Sequence, residues 1–326
     1  MIVLNSPKLY LEALSPTRRT TVTASTTETT TPRRAAKYTG IRTIMESPIL
    51  DERKWAKVPD IPADSFMLDL EDSAPPASKD AARAKVAEYL VQPEYFRHKV
   101  TLARPNHIST PWGREDLAAL GEAGVSCLAY PKISRAEELD EVLDILRGYG
   151  ADPDIFAIVE TAESVMNLAE IAAHPNVVGL MFGPGDLSVD SGIPLFSAPA
   201  ELNAAMVYPK VKTVLAGAAN NVLTADIAFL ANIKDAAEAE VKYKASRALG
   251  FTTGITFYPP HVPIINRLFG PSEEQIAGAL EDIDAYESAL SEGRSAVTLD
   301  SGRVLLVHDY EKALTVRDRA TAIGLI

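Results

Sequence analysis

From Gly40 onward the chain repeats one pattern, in which a short apolar or β-branched run is followed by an amphipathic segment with helical spacing. Eight such runs recur at intervals of about 30 residues, the length of one βα unit. They lack strict polar alternation, as expected of strands covered on both faces. The pattern predicts an α/β fold, a (β/α)8 TIM barrel. The runs span residues 40–46, 65–72, 99–106, 125–133, 154–161, 177–186, 221–228 and 253–260.

The segments between the runs carry helix signals. Ser134 and Glu137 have the spacing of a capping box, and Val241, Ala245 and Leu249 predict one apolar helix face. A doubly wound open sheet is the competing architecture. No GxGxxG follows any run and no GxxxxGK[ST] occurs, which weakens the nucleotide-binding alternative.

Beyond residue 268 the repeat stops. Ser272 and Gln275 form a second capping box before a helix, residues 295–309 resemble a hairpin or loop, and a last helix begins near Tyr310. This stretch is too small to fold alone. We therefore expect a barrel over 41–268 and a C-terminal helical extension over 269–326, which packs on the barrel or on a neighbouring subunit.

Residues 1–40 have a different composition from the remainder of the chain. They contain ten Thr, three Ser and six basic residues but only two acids. The stretch 20–32 has almost nothing apolar to bury, which predicts a flexible Thr-rich extension. An over-long start and an organelle transit peptide remain alternatives.

The whole chain has 32 basic and 44 acidic residues, a formal charge of −12. An acidic balance argues against nucleic acid as a partner, because phosphate binding draws its affinity from Lys and Arg. Cys127 is the single cysteine, so no disulfide within the chain is possible. No apolar run reaches the roughly 18 residues of a membrane helix. These features predict a soluble, cytoplasmic protein without a membrane partner.

Acidic residues follow several of the predicted strands. In a barrel of this kind the carboxyl ends of the strands meet at one mouth, where the reactive groups lie. Carboxylates that converge there repel one another unless a cation joins them. The polar residues at these ends are Asp69, Glu71, Asp72, Arg104, Asn106, Lys132, Glu160 and Asp186.

A hard divalent cation suits such a cluster, because the ligands on offer are oxygens. The five histidines show no HxH or HExxH spacing, so zinc is disfavoured. Mg²⁺ takes one or two protein carboxylates and keeps waters for substrate to displace. Glu160 and Asp186, the latter in the FGPGD turn, are the predicted ligands. A helix cap or a loop acid is the alternative for either residue alone.

Two cationic residues end neighbouring runs. Arg104 precedes a proline and is predicted to hold a substrate carboxylate or an enolate oxygen, or to bridge Glu71 or Asp72, and the two roles are compatible. Lys132 is predicted to be a structural or anion-binding lysine. A Schiff-base lysine is the alternative, but nearby carboxylates favour the charged amine.

At these residues the sequence resembles the citrate lyase β-subunit-like branch of the HpcH/HpaI aldolase/citrate lyase superfamily. The resemblance runs from Arg42 to about Ala320 and rests on blocks that occur in one order and spacing. The blocks are LDLED with PP and KDAAR (68–83), ARPN (103–106), YPKI (130–133), IVETAESVMNLAEIA (158–172), GLMFGPGDL (179–187), ALGFTTG (248–254) and INRLFGPSEEQIAGA (265–279).

The resemblance implies a magnesium-dependent barrel that makes or breaks a carbon–carbon bond. It implies Glu160 and Asp186 as metal ligands, with Arg104, Glu160 and Gly185 at the substrate. Glu71, Asp72 and Lys132 are implied to support that site, the two acids by holding water on the metal.

The resemblance also implies a homotrimer or homohexamer. In such an assembly an acid of a neighbour's C-terminal arm reaches the site and acts in catalysis. Asp309 is the first candidate for this acid and Asp300 the second.

Two positions depart from the family pattern. The eighth run reads TFYPPHV, so Tyr258 stands where the family has histidine before proline. The first run reads RTIMESP where the family usually has an aliphatic residue before the proline, and this places Glu46 near the mouth. Both departures put the family's usual substrates in question.

The function implied is cleavage or formation of 3-hydroxyacyl-CoA thioesters of the malyl, citramalyl or citryl type. One alternative is a class II aldolase that acts on free 2-oxo acids without CoA, since no basic cluster for CoA is evident. The other is a non-catalytic accessory subunit that keeps the barrel for assembly.

Overall fold

The computed structural model of the chain describes residues 33–198 and 201–326. Eight parallel strands close into a barrel in which each strand pairs with its neighbours in chain order. Each of the eight predicted runs supplies one strand, so the predicted (β/α)8 barrel is confirmed. The strands are β1 Thr43–Ser47, β2 Ser65–Asp69, β3 Val100–Arg104, β4 Cys127–Tyr130, β5 Asp154–Val159, β6 Val177–Phe182, β7 Leu223–Ile227 and β8 Thr253–Thr256.

Closure joins the first strand to the last. Thr43 of β1 is opposite Gly254 of β8, and Ile44 is opposite Ser65 of β2. Because all the pairs are parallel, the carboxyl ends of the strands lie at one end of the barrel. Residues that follow the strands therefore meet there.

Helices and short turns connect the strands. Among the described residues they are α1 Arg33–Ala36, α2 Glu52–Trp55, α3 Lys79–Leu90, α4 Gly113–Glu122, α5 Glu137–Gly148, α6 Ala162–Met166, α7 Leu168–Ala173, α8 Pro184–Ser191, α9 Val207–Asn220, α10 Ala236–Leu249, α11 Val262–Phe269, α12 Glu273–Ser291 and α13 Val307–Ala322. None of these helices is long and apolar enough to cross a membrane.

The barrel has two apolar layers because successive strand residues face opposite sides. One layer lies between the strands and the surrounding helices, and the other fills the barrel interior. On β1 the interior residue is Ile44, on β2 Met67, on β3 Leu102 and on β5 Ile158. The residue two positions further along each of these chain segments is polar: Glu46, Asp69, Arg104 and Glu160.

Residues just before β1 cover the amino-terminal end of the barrel. Tyr38 is 2% exposed, and its hydroxyl donates a 2.6 Å hydrogen bond to Asp154 at the start of β5. Its ring packs edge-on against Phe156, with the centroids 5.4 Å apart. Residues 33–40, which the sequence assigns to the flexible extension, thus include α1 and a buried tyrosine. The rest of that predicted extension lies outside the described residues.

The capping box predicted at Ser134 and Glu137 is wrong. Helix α5 begins at Glu137, so Ser134 lies too far before its first turn to cap it, and Ala136 precedes the helix without a side-chain hydrogen bond. The N–H of Ser134 instead donates to Glu138 Oε2 at 3.3 Å.

The predicted apolar face of α10 is also wrong. The helix itself is present, but Val241 is 66% exposed and the buried positions are Ala239, Tyr243 and Ser246. The hydroxyl of Tyr243 donates to the carbonyl of Ile255. Relative to the predicted face the helix is rotated: Tyr243 packs against the barrel, Val241 and Ala245 are exposed, and Leu249 is half-buried against the core.

Residues 270–326 belong to a compact unit separate from the barrel unit, which ends at Phe269. The capping box of Ser272 and Gln275 at the start of α12 is confirmed. Between α12 and α13, Val297–Thr298 and Val304–Leu305 form a short antiparallel pair. The rings of Tyr286 and Tyr310 stack with centroids 4.9 Å apart within the unit's own apolar cluster.

Candidate active site

A cavity of about 320 Å³ lies at the carboxyl ends of the barrel strands. Its floor is formed by interior residues of the barrel, among them Met67, Ile158 and Met181. Its polar lining consists of Glu46, Asp72, Arg104, Glu160 and Asp186. Four of the strand-end residues singled out in the sequence therefore share one cavity, together with Glu46.

Glu160 follows the last residue of β5 and is 3% exposed. Its Oε1 accepts a 2.8 Å hydrogen bond from the backbone N–H of Lys132. Burial raises the pKa of Glu160 to about 8, and the negative charges of Glu71 and Asp186 add to this effect. The carboxylate is thus held in a place where its negative charge needs a cation.

Gly183 allows Glu160 to occupy this place. A Cβ atom at position 183 would lie 2.6 Å from Glu160 Oε2 and 2.8 Å from Glu160 Cβ, which no real side chain tolerates. The sequence marked the glycine-rich turn and predicted Gly185, which also lines the cavity. It gave no reason to single out Gly183, because the close approach exists only in three dimensions.

Asp186 lies in the first turn of α8, directly after β6. Its side chain is 40% exposed, and its Oδ2 lies 3.4 Å from Lys132 Nζ. Glu160 and Asp186 therefore approach the cavity from two adjacent strand ends, one carboxylate buried and the other accessible.

Lys132 connects these acids to the end of β2. Its backbone is left-handed, with φ of 51°, which is uncommon for a residue other than glycine. Its Nζ donates to Glu71 Oε1. Burial acts to lower the pKa of Lys132, but Glu71, Glu160 and Asp186 outweigh it and raise that pKa above its ordinary value. A charged amine fits the predicted structural role and opposes the Schiff-base alternative.

Arg104 is the last residue of β3, and its side chain lies among four carboxylates. Its Nε donates to Asp69 Oδ1 at 2.6 Å and its Nη2 to Glu46 Oε1 at 3.2 Å. Its Nη1 lies 3.5 Å from both Glu71 Oε2 and Asp72 Oδ2. Arg104 thus lines the cavity and bridges Glu71 and Asp72, the two roles that the sequence left compatible.

Asp69 fixes the position of this arginine. It is fully buried, and Cα pairing places it opposite Arg104 in the sheet. Its two oxygens also accept the backbone N–H groups of Glu71 and Ser73. Burial disfavours its charge, but Arg104 and these N–H groups hold the pKa of Asp69 below its usual range.

Glu46 lies at the mouth, as the sequence predicts. Burial raises its pKa to about 7, with further contributions from Asp69, Asp72 and Glu71, while Arg104 acts in the opposite direction. At the end of β8 the lining residue is Phe257. The ring of Tyr258 packs edge-on against His261, with centroids 5.0 Å apart.

The donor set is compatible with Mg²⁺. Across the described ranges, no group of three or more His, Cys, Asp or Glu side chains is placed to enclose one ion. Mg²⁺ does not require such an enclosure, because it commonly uses one or two carboxylates with waters and substrate. Glu160 and Asp186 supply two carboxylates. The Oε2 atom of Glu71 is also buried and lacks a hydrogen-bond partner among the described residues.

The two candidate acids of the C-terminal arm lie in the unit of residues 270–326. Asp309 Oδ2 accepts the N–H of Leu306 at 3.1 Å and so caps the start of α13. Asp300 is exposed between the two short strands of that unit. The catalytic role expected of Asp309 or Asp300 stays a prediction.

The family model of HpcH/HpaI aldolase/citrate lyase matches residues 44–259, which include the barrel and every polar residue of its cavity. The chain belongs to this family. The prediction of a carbon–carbon lyase is thereby confirmed, as is the resemblance to the citrate lyase β-subunit-like branch.

Characterised members of the family extend over most of the chain. A (3S)-malyl-CoA thioesterase of Cereibacter sphaeroides is 31% identical over 267 residues, which cover 82% of this chain and 90% of the relative. The citrate lyase subunit beta of Escherichia coli is 26% identical over 275 residues, 81% of this chain and 88% of that one.

A solved family member has a similar fold. The protein CitE of Mycobacterium tuberculosis, in complex with magnesium, acetoacetate and coenzyme A, matches with a TM-score of 0.71 and 27% identity. The match covers 87% of this chain and 99% of CitE.

Proposed function

We propose that this protein is a magnesium-dependent lyase that cleaves or forms the carbon–carbon bond of a 3-hydroxyacyl-CoA thioester of the malyl, citramalyl or citryl type. The observation that carries the proposal is that Glu160, Asp186 and Arg104 line one cavity at the strand ends. Support comes from the family, whose members include a malyl-CoA thioesterase and a CitE structure that holds magnesium and coenzyme A.

Glu160 and Asp186 are the residues that would hold the magnesium ion. When bound, the ion supplies Lewis-acid polarisation of the substrate hydroxyl and of the 2-oxo acid that forms from it. Lys132 keeps Glu160 oriented through its backbone N–H. Glu71 holds the lysine ammonium beside Asp186, so this cation partly offsets the repulsion between the acids.

Arg104 binds and orients the reacting fragment. Arg104 is 7% exposed, and its guanidinium remains charged because the surrounding carboxylates keep the pKa of Arg104 high. In cleavage the leaving fragment is an enolate, and a positioned donor to such an oxygen is worth about 3 kcal/mol of transition-state stabilisation. Asp69 holds the guanidinium in place for this task.

The deciding experiment supplies malyl-CoA, citramalyl-CoA and citryl-CoA, and separately the corresponding free acids, to the full chain with Mg²⁺. We expect release of a 2-oxo acid or glyoxylate from one or more thioesters and none from the free acids. Release from the free acids alone would establish the aldolase that works without CoA. Free CoA is measured in parallel, because the Cereibacter relative is named as a thioesterase.

Variants of the two acids link the activity to the site. Glu160→Gln and Asp186→Asn should abolish magnesium-dependent turnover while the protein stays folded. In the wild type, Mg²⁺ should raise the melting temperature, since an ion that binds only the folded state stabilises it. A wild type without turnover and without this rise would support the accessory subunit.

The assembly we propose is a homotrimer or homohexamer in which a neighbour's C-terminal arm completes the site. Light scattering of the full chain measures the assembly directly. A monomer at micromolar concentration that retains full activity contradicts this part of the proposal.

A further inference from the structure

Glu46 is an acidic residue of the cavity that has no role in the reaction as proposed so far. It is the second interior position on β1, two residues after Ile44, so a rigid strand carries it. Its side chain is 19% exposed and lines the same cavity as Arg104 and Glu160. Most of it is shielded, but water reaches it.

The two oxygens of Glu46 have different surroundings. Oε1 faces Arg104 Nη2 at 3.2 Å. Within the described part of the chain, Oε2 has no hydrogen-bond partner. When Oε1 accepts a hydrogen bond from arginine, a protonated carboxyl group can carry its proton on Oε2. That O–H group is then available to donate to a ligand.

The charges around Glu46 favour that proton. Arg104, at the end of β3, is the cation that faces it, and Asp69, Glu71 and Asp72 face it from the end of β2. Arg104 is already paired to Asp69 at 2.6 Å. Arg104 and the Lys132 ammonium, which pairs with Glu71, supply two positive charges to four carboxylates, so a proton on Glu46 relieves part of the remaining negative charge.

A group bound by Arg104 lies next to Glu46, because both side chains reach the cavity and contact each other. The lyase proposal places the enolate oxygen at Arg104. The α-carbon of that enolate is one bond from the carbon that bears this oxygen. Glu46 contacts Arg104 from the end of β1, with β2 between their two strands, so its carboxyl group lies beside that carbon.

We infer that Glu46 is the catalytic acid that gives a proton to the α-carbon of the leaving acyl thioester, and that takes it back in the condensation direction. This inference rests on the proposed function. The substrate hydroxyl loses its proton to solvent water, its C–O bond becomes C=O, and the adjacent carbon–carbon bond breaks. The electron pair passes to the thioester enolate, whose α-carbon takes the proton of Glu46. Water then reprotonates the Glu46 carboxylate.

The test compares wild type, Glu46→Gln, Glu46→Asp and the matched surface variant Glu88→Gln. The substrate is the thioester of the panel that the wild type cleaves fastest. Glutamine keeps an acceptor for Arg104 but has no proton to give to carbon. General acids contribute about 10²- to 10⁴-fold, so we expect kcat of Glu46→Gln to fall about 100-fold or more, with a small change in KM. Glu46→Asp should regain part of the loss, and Glu88→Gln should match the wild type.

Two further readouts separate an acid from a structural role. In the wild type, kcat for cleavage should fall as pH rises through about 7, because the protonated form is required; Glu46→Gln should lack this decline. Exchange of the methyl hydrogens of acetyl-CoA with deuterated water, followed by NMR with Mg²⁺, should be about 100-fold slower in Glu46→Gln than in wild type.

Each outcome decides between the assignments. Unchanged kcat and exchange in Glu46→Gln overturn the inference, as does a lower kcat that keeps the decline with pH. Loss of exchange in Asp309→Asn but not in Glu46→Gln assigns the acid to the C-terminal arm instead. A wild type that cleaves no thioester refutes the proposed function itself, and the inference falls with it.

Discussion

The backbone N–H of Lys132 donates a 2.8 Å hydrogen bond to Glu160 Oε1 across two neighbouring strand ends. Lys132 adopts left-handed backbone to do so, with φ of 51°. A non-glycine residue in this region costs about 1–3 kcal/mol, and such strain concentrates at functional sites. Gly183 lies against the same Glu160 side chain. Because glycine has no side chain, it leaves room for the carboxylate.

Gly183→Ala should therefore disable the site without unfolding the barrel. Its Cβ would lie 2.6 Å from Glu160 Oε2 and force that carboxylate to move. We expect loss of the Mg²⁺-dependent rise in melting temperature and at least a 100-fold fall in turnover, since a displacement of about 1 Å can cost that much. The control is Gly148→Ala, which meets nothing within 4 Å. Equal behaviour of the two variants would contradict the close-approach argument.

Arg104→Lys should lower kcat/KM about 100-fold while the protein remains folded. A lysine keeps the charge, but it cannot serve Asp69 and Glu46 at once through separate nitrogens of a planar fork. Because a buried partner is left unsatisfied, the free energy of unfolding should fall by about 1–3 kcal/mol. Urea denaturation and steady-state kinetics measure the two effects.

The matched variant for this prediction is Arg97→Lys, whose pair with Asp60 is exposed on both sides. Exposed pairs contribute about 0–1 kcal/mol, so this variant should resemble the wild type. Full activity in Arg104→Lys would show that the fork geometry of Arg104 is not needed.

Lys79→Met should destabilise the barrel and weaken the site together. Lys79 is 5% exposed, and its Nζ donates to the carbonyls of Leu70 and Glu71 and to Asn106 Oδ1. Loss of this donor leaves buried acceptors unsatisfied, at a cost of about 1–3 kcal/mol. Turnover should fall as well, since Lys79 fixes the backbone that presents Glu71.

Lys85→Met is the control for Lys79→Met, because the ion pair of Lys85 is a 3.6 Å contact with the largely exposed Glu52. It should change the unfolding free energy by less than about 1 kcal/mol. If the two methionine variants unfold at the same urea concentration, the buried clamp has no energetic role.

The stability of the barrel should decline in acid partly through His261. Its ring is 2% exposed, with Nε2 3.0 Å from the Ile233 carbonyl, and burial lowers its pKa below the ordinary 6.5. A lowered folded-state pKa means that the unfolded chain binds the proton more readily. The stabilisation that the neutral His261 ring contributes is thus present above pH 6.5, and it is lost as pH falls through the pKa of His261 in the folded protein.

Melting temperatures from pH 5 to pH 8 test this expectation. The difference between wild type and His261→Gln should shrink as pH falls below 6.5. The control is His98→Asn, because His98 is exposed and asparagine tolerates its left-handed backbone. The melting temperatures of this variant should follow those of the wild type across the pH range. A constant difference between wild type and His261→Gln would exclude the proton-linked contribution.

The sequence by itself determined the barrel and the order of its polar residues. Eight apolar runs at the spacing of βα units are typical of parallel strands that are buried on both faces. The pattern alone therefore predicted the eight strands of the closed barrel. Because successive residues of a strand face opposite sides, the interior positions of Leu102 and Ile158 in the structure put Arg104 and Glu160 on the interior side as well. The composition of the strand ends then indicated a site for a hard cation.

Tertiary structure decided which of these groups touch. Spacing along the chain does not encode the four carboxylates around Arg104, the turn at Lys132 or the room that Gly183 leaves for Glu160. The same limit explains the misassigned cap at Ser134 and the rotated face of α10, where contacts across elements outweighed local preference. Local sequence sets backbone propensity and face, whereas proximity, burial and the resulting pKa values depend on which elements the closed barrel places side by side.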